Sequence, residues 1–212
     1  MIRIGMVGMG GISGAHLPAY EKLADIAQVV ARCDKIPERA DGTAKGVAIN
    51  IGGPAATALQ ATAYTDYREL LADPEVDVVD ICLPTDLHAE VAIAALQAGK
   101  HVLCEKPMAL NVAQCDRMIA AAQASGSIFM IAQCIRFWPA YVYLKELVDS
   151  GKYGKLTSAQ FSRLSGPPIW ASENWLLTPE RSGGSLLDLH IHDTDYLSFL
   201  LGTPTSVSTR GR

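Results

Sequence analysis

The sequence predicts an α/β protein built on a parallel sheet with helices on both faces. Two observations carry that prediction. Through the first two-thirds of the 212-residue chain, short β-rich runs alternate with helical segments of about 10–15 residues, the pattern of βαβ units. The run from Val76 to Leu83 is also apolar enough to be buried on both faces, as central strands of a parallel sheet are.

Taken in order, Arg3 to Val7 is a first strand running into glycines, and Ala15 to Ala24 a first helix. Gln28 to Cys33 is a second strand. The polar segment after it can open a helix at Pro37 of Pro37-Glu38-Arg39-Ala40, because proline suits a helix's first turn. Residues 41–62, rich in Gly, Ala and Thr, read equally as helix or loop. Asp66 with Glu69 three residues on makes a capping-box pattern that opens a short helix, and Asp73-Pro74 stops it. After the Val76–Leu83 strand comes a helix from Leu87 to Ala98, with Gly99 placed to end it. Val102 to Cys104 is a strand, Val112 to Ala124 a helix ended by Ser125-Gly126, and Ile128 to Ala132 another strand. Around Arg136-Phe137-Trp138-Pro139 the pattern changes, so the chain divides into 1–135 and 136–212. The second part reads as a helix from Tyr141 to Asp149, a long strand-like stretch from Lys155 to Leu164, and an irregular segment from Gly166 to Arg181. A last helix runs from Ser185 to Leu201, before Gly202 and Pro204.

Composition narrows the function. With 49% hydrophobic and 19% charged residues the chain can build a core, which rules out a mostly disordered protein. The net charge of −4 comes without any block of like charges, so nucleic acid and anionic membranes are poor partners. No apolar run approaches the ~18 residues of a membrane helix. The start, Met1-Ile2-Arg3-Ile4-Gly5, runs straight into strand-like sequence and lacks the features of a secretory leader. Five cysteines without Cys-x-x-Cys spacing fit reduced core thiols in the cytoplasm better than disulfides or structural zinc.

Three clusters carry chemistry. Gly8-Met9-Gly10-Gly11-Ile12-Ser13-Gly14 joins the first strand to the first helix, where glycines admit a tight turn and let backbone approach a diphosphate at the helix N-terminus. Ser13 stands where a third glycine is usual; it is small enough to pack, and its hydroxyl could reach a phosphate. An ordinary glycine-rich turn is the plainer alternative. Asp34 ends the second strand, where an acidic group bonds the ribose hydroxyls of NAD and repels the 2′-phosphate of NADP. A solvated turn aspartate would look the same, and nearby Lys35 and Arg39 could offset that repulsion, so NAD is favoured and NADP stays open.

The second cluster, Glu105-Lys106-Pro107, follows the carboxyl end of a strand, where ligands bind in open α/β sheets and a lysine can hydrogen-bond a substrate hydroxyl. The third is Asp188-Leu189-His190-Ile191-His192-Asp193-Thr194-Asp195. On one helix, Asp188, His192 and Asp195 would share a face, and a carboxylate one turn from an imidazole can orient it as a general base. Capping and packing polar groups would give the same spacing. No second His/Cys cluster supports a metal.

Together these residues resemble the Gfo/Idh/MocA family of oxidoreductases. The matches are Gly8-x-Gly10 with His16 eight residues after Gly8, Leu83-Pro84-Thr85-Asp86-Leu87-His88, Glu105-Lys106-Pro107, and Gly183-Gly184-Ser185-Leu186-Leu187-Asp188-x3-His192-x2-Asp195. The resemblance implies a Rossmann domain followed by an α+β substrate domain with an open, mostly antiparallel sheet, and a site between the two. It places Lys106, Asp188 and His192 as the catalytic trio. It assigns cofactor contact to Gly8, Gly10, Gly11, Ile12, Ser13, Asp34, Pro84, Thr85, His88, Glu105 and Lys106, with Pro107 where the family often has a cis peptide. His190, glycine in many members, adds a polar group to the pocket. Arg136, Trp170, Asn174 and Trp175 are candidate sugar contacts, and Trp138 is a candidate for packing at the domain junction.

The expected activity is hydride transfer between a nicotinamide cofactor and a sugar, polyol or related hydroxyl compound. His192 would take the hydroxyl proton, Asp188 orient His192, and Lys106 hold the reacting oxygen. An NAD-assisted glycoside hydrolase and a catalytically silent dinucleotide-binding sensor or assembly protein are the alternatives. The second domain has a single clear long strand, which reads as incomplete. The chain alone is therefore expected to bind NAD yet turn over poorly unless a partner completes the sheet, with a homodimer or homotetramer forming through it.

Overall fold

A computed structural model describes residues 1–44, 61–169 and 171–210. Six strands form one sheet: β1 (Ile2–Val7), β2 (Ala27–Cys33), β3 (Thr62–Tyr64), β4 (Val78–Ile81), β5 (His101–Cys104) and β6 (Phe129–Ile131). Every pairing is parallel, and the order is β3-β2-β1-β4-β5-β6. The chain winds outward from β1 to one edge and then from β4 to the other. A crevice therefore opens between the carboxyl ends of β1 and β4, the topological switch point of a Rossmann fold.

Helices α1 (Ser13–Lys22), α2 (Pro37–Ala40), α3 (Tyr67–Ala72), α4 (Thr85–Gln97) and α5 (Val112–Ser125) connect the strands. Parallel strands need such crossovers, and the apolar faces they cover make two core layers. One layer packs Val7, Ala31, Val79 and Ile81 of the sheet against Leu70 of α3, Ala92 and Leu96 of α4, and Met118 of α5. The other packs Ile4, Met6 and Val29 against Leu17 of α1. Each fully buried leucine or isoleucine contributes roughly 1.5–3 kcal/mol. Asp66 caps α3 by accepting from the Arg68 amide, without the reciprocal Glu69 bond of a capping box among the described residues, and Asn111 caps α5 by accepting from that of Gln114.

A 3-10 turn at Cys134–Phe137 leads into α6 (Pro139–Ser150). The chain continues through a second 3-10 turn, Ser172–Leu177, then α7 (Pro179–Ser182), α8 (Gly184–Asp188) and α9 (Ile191–Leu201). Ile135, Tyr196 and Leu200 form a third buried cluster, with Tyr141, Leu144 and Val148 of α6 and Phe161 packed on it. The Tyr141 and Tyr196 rings meet edge-on with centroids 4.8 Å apart.

Several expectations need correction. The first helix starts at Ser13, directly on the glycine turn, and ends at Lys22. The three-residue β3 is an unforeseen strand; most of the ambiguous segment beside it, 45–60, lies outside the described residues. Lys155–Leu164 is no strand here, because its peptide groups meet no neighbouring strand among the described residues and a ladder needs two partners. The last helix is two, interrupted at Leu189-His190. Among the described residues no helix is long and apolar enough to cross a membrane.

Candidate active site

Gly8 turns the chain out of β1 at φ +96°, and a Cβ there would lie 2.5 Å from the Cys82 carbonyl oxygen. Only glycine fits. Its N–H donates to the Cys33 carbonyl at 2.8 Å, tying the turn to the end of β2. The Asp34 carboxylate braces the same loop, accepting from the amides of Met9 and Ile36, both at 2.9 Å. Among the described residues, the amides of Gly10, Gly11 and Ile12 have no partner, and no side chain caps α1. A Cβ on Gly10 would meet nothing within 4 Å, so this loop faces open space. Free amides at an uncapped helix N-terminus make an anion cradle. Ser13 does not reach into it: its hydroxyl donates to the Gly10 carbonyl at 2.6 Å and stabilises the turn.

At the end of β4, Pro84 leads into α4, and Thr85 is buried with its hydroxyl unpartnered among the described residues. His88 is buried, and its ring nitrogens lie 2.8 Å from the Pro107 and Leu83 carbonyls. Burial lowers its pKa. A neutral ring has one N–H, so His88 donates to one of these carbonyls while its other nitrogen packs against the second. The Lys106–Pro107 peptide is cis.

Behind Lys106 lies a polar network that sequence reasoning did not assemble. His16 of α1 sits between Asp80 of β4 (Nδ1 to Oδ2, 2.8 Å) and Glu105 (Nε2 to Oε1, 2.9 Å). The Tyr20 hydroxyl donates to Asp80 at 3.0 Å, and the second Glu105 oxygen accepts the Lys106 amide at 3.1 Å. His16, Asp80 and Cys82 could by position hold a metal. Their donors already have acceptors, however, and burial pushes the Cys82 thiol up to about 12, so no thiolate is offered.

Lys106 Nζ donates to the Asp188 carboxylate at 3.0 Å and to its carbonyl at 2.8 Å. Asp188 is thus spent on the lysine, while His192 Nδ1 is buried without a partner among the described residues. The expectation that Asp188 orients His192 fails because the helix is interrupted between them. His192 is held down to about pKa 4, first by burial and then by the positive Lys106 and Arg163, against Glu105 and Asp188. Its ring is neutral at pH 7, and one nitrogen can accept a proton.

The third residue expected on that face, Asp195, is taken by Arg136, whose Nε donates at 2.7 Å while its guanidinium lies 4.8 Å from the Phe199 ring centre. The Arg136 guanidinium is thus held between Asp195 and the Phe199 ring. Arg163 grips buried Asp193 with two 2.8 Å hydrogen bonds, and His190, largely exposed, lies 3.2 Å from the same carboxylate. Asn174 is exposed and left-handed (φ 50°), Trp175 is half-buried, and Trp170 lies outside the described residues. Trp138 is 43% exposed and meets Tyr141 edge-on. Sequence reasoning missed Arg163 and Glu173, whose partners are remote in sequence. Glu173 pairs with Lys35 (2.6 Å) and with Arg181 (3.3 Å), and Arg181 in turn reaches Asp86 at 3.1 Å.

A doubly wound parallel sheet with a glycine turn at its switch point defines a Rossmann dinucleotide-binding fold. Residues 2–133 match the family described as "Oxidoreductase family, NAD-binding Rossmann fold", and residues 141–212 the GFO/IDH/MocA C-terminal domain. The chain belongs to the GFO/IDH/MocA family. It is similar to an inositol 2-dehydrogenase of Salmonella paratyphi B, 37% identical over 94% of this chain and 54% of that protein. Among solved structures it is similar to a levoglucosan dehydrogenase in complex with NADH (TM-score 0.78, 28% identity, 95% of this chain and 54% of that one). The WlbA dehydrogenase of Bordetella pertussis, in complex with NADH and UDP-GlcNAcA, is also similar (TM-score 0.77, 29% identity, 95% and 55%). The chain spans about half the length of the curated relatives it matches.

Proposed function

We propose that this protein is an NAD-dependent dehydrogenase acting on a CH–OH group of a sugar or polyol. The observation that carries this reading is the pairing of Lys106 with Asp188 beside a neutral His192, at the carboxyl end of the sheet that also forms the glycine cradle. The open face at Gly10 and the free amides of Gly10, Gly11 and Ile12 fit a dinucleotide diphosphate, and Asp34 fits an unphosphorylated ribose. When bound, the nicotinamide supplies the hydride acceptor.

The chain's own residues do the rest. Lys106, its ammonium fixed by the Asp188 carboxylate and carbonyl, donates a hydrogen bond to the reacting oxygen and favours its alkoxide. His192, uncharged, accepts the hydroxyl proton. Asp188 acts on the lysine, offsetting its charge and fixing its direction. Residues 1–135 form the dinucleotide domain. Residues 136–212 belong to the substrate domain, with an open, mostly antiparallel sheet through which copies associate, and Lys155–Leu164 becomes a strand when a neighbour pairs with it. The exposed His190 lines the substrate side. The free cysteines suit the reducing cytoplasm.

The test combines calorimetric NAD titration with a panel of polyols and glycosides. Net formation of NADH from a polyol is expected. Glycoside cleavage without net reduction, or binding with no chemistry on any compound once a partner has completed the sheet, would overturn the reading.

A further inference from the structure

His16 lies in the first turn of α1, the helix whose N-terminus faces the glycine loop, and its ring is wedged between the ends of β4 and β5. Each ring nitrogen faces a carboxylate oxygen. Ionised carboxylates only accept, so a ring bonded to both must donate from both nitrogens, and only the imidazolium does so. Asp80 is fully buried, and a carboxylate so placed requires a positive partner. The other groups facing the ring are the Cys82 thiol, 3.6 Å from Nδ1, and Tyr20, whose hydroxyl donates to Asp80. Burial disfavours charge on His16, yet the two carboxylates bonded to its ring hold it well above the usual histidine range. For Glu105, burial pushes the carboxyl up and the His16 hydrogen bond outweighs it. A chain of contacts thus runs from α1 through His16, Glu105 and Lys106 to Asp188.

We propose that His16 is a positioning residue for Lys106: a permanent imidazolium that grips Glu105 and, through it, the Lys106 peptide, so that the lysine's place is set relative to the glycine loop. This deepens the dehydrogenase reading and rests on it for its catalytic consequence. A neutral histidine filling space would leave the lysine loop indifferent to its loss.

The full-length chain, its His16→Gln variant and its His16→Arg variant, which restores a two-donor cation, discriminate the two. In 15N-histidine NMR at pH 8, the resonances lost in His16→Gln should be those of a doubly protonated ring in the wild type. A single neutral tautomer there overturns the proposal. Hydrogen exchange at the Glu105 and Lys106 amides should quicken about tenfold in His16→Gln, with β1 and β4 amides unchanged. Uniform acceleration, meaning general loss of structure, overturns it. On a polyol that the wild type oxidises, His16→Gln should lower kcat by roughly 10–100-fold while NAD affinity changes less than threefold, and His16→Arg should recover part of the loss. An unchanged kcat overturns the proposal. If the wild type oxidises no polyol, the dehydrogenase reading falls, and the NMR and exchange results still decide whether His16 holds the lysine loop.

Discussion

With its pKa held near 4 by burial and by the neighbouring cations Lys106 and Arg163, His192 enters the proposed reaction as a free base across the whole neutral range. The acid limb of kcat/KM should therefore fall near pH 4–5, below the ~6.5 of an ordinary histidine. A limb at 6.5 in the pH–rate profile would show a histidine in another setting. His192→Ala should cut turnover by roughly 10²–10⁴ and leave NAD affinity nearly unchanged, since the glycine loop is built from other residues. Asp34 governs a different choice. Its carboxylate stands at the end of β2 and braces the glycine loop, and the Lys35 ammonium beside it is engaged by Glu173. NAD should bind at least tenfold more tightly than NADP, about 1.4 kcal/mol, and Asp34→Ala should shrink that ratio in parallel titrations of the two.

At the scale of the element, the glycine turn separates two effects that one motif usually blends. Gly8→Ala meets a main-chain carbonyl and an unfavourable φ, so it should lower the melting temperature and remove dinucleotide binding together. Gly10→Ala meets nothing, so melting should be unchanged while NAD affinity falls, because the new methyl fills the space a diphosphate needs. Melting curves and calorimetry on the two variants check both. The parallel sheet was legible because buried strands and capped helices each carry a local signature, such as the apolar run before Leu83 or the Asp66 and Gly99 caps. β3 was not: three residues, Thr62 to Tyr64, hold too little pattern, and their strand character comes from pairing with β2. Lys155–Leu164 errs in the opposite sense, with strand-like composition and no neighbouring strand among the described residues. In the site, Lys106 could be read from its place past a strand end and Asp188 and His192 from helical spacing, while their grouping as a trio came from the family resemblance. The partnership of Asp188 with Lys106 could not, because it joins positions 82 apart in sequence.

Over the whole molecule, three shifted histidines shape stability against pH: His16 is raised, while His192 and the buried His88 are lowered. His192 is depressed, so between pH 6.5 and 4 the unfolded chain takes up a proton that the folded one refuses, and stability falls as the solution is acidified. His16 is raised, so above pH 6.5 the folded protein keeps a proton that the unfolded chain releases. That contribution is fully present below 6.5 and declines as pH rises, by at most ~1.4 kcal/mol per pH unit for one proton. Chemical denaturation at a series of pH values should give a maximum near 6.5. His16→Gln should flatten the alkaline side of that curve and His192→Gln part of the acid side, to which buried His88 also contributes.

The ion pairs from Lys35 to Glu173 and from Glu173 through Arg181 to Asp86 bind the segment around Ser172–Leu177 to the dinucleotide domain at two places. Lys35 and Glu173 are largely exposed, and pairs of that kind contribute about 0–1 kcal/mol and weaken as salt shortens the reach of charge. The segment is fastened by something that counterions can loosen. Hydrogen exchange in Ser172–Leu177 would then respond to ionic strength as a buckle responds to a slackened strap, quickening in concentrated salt, and Glu173→Gln should leave it nearly indifferent to salt.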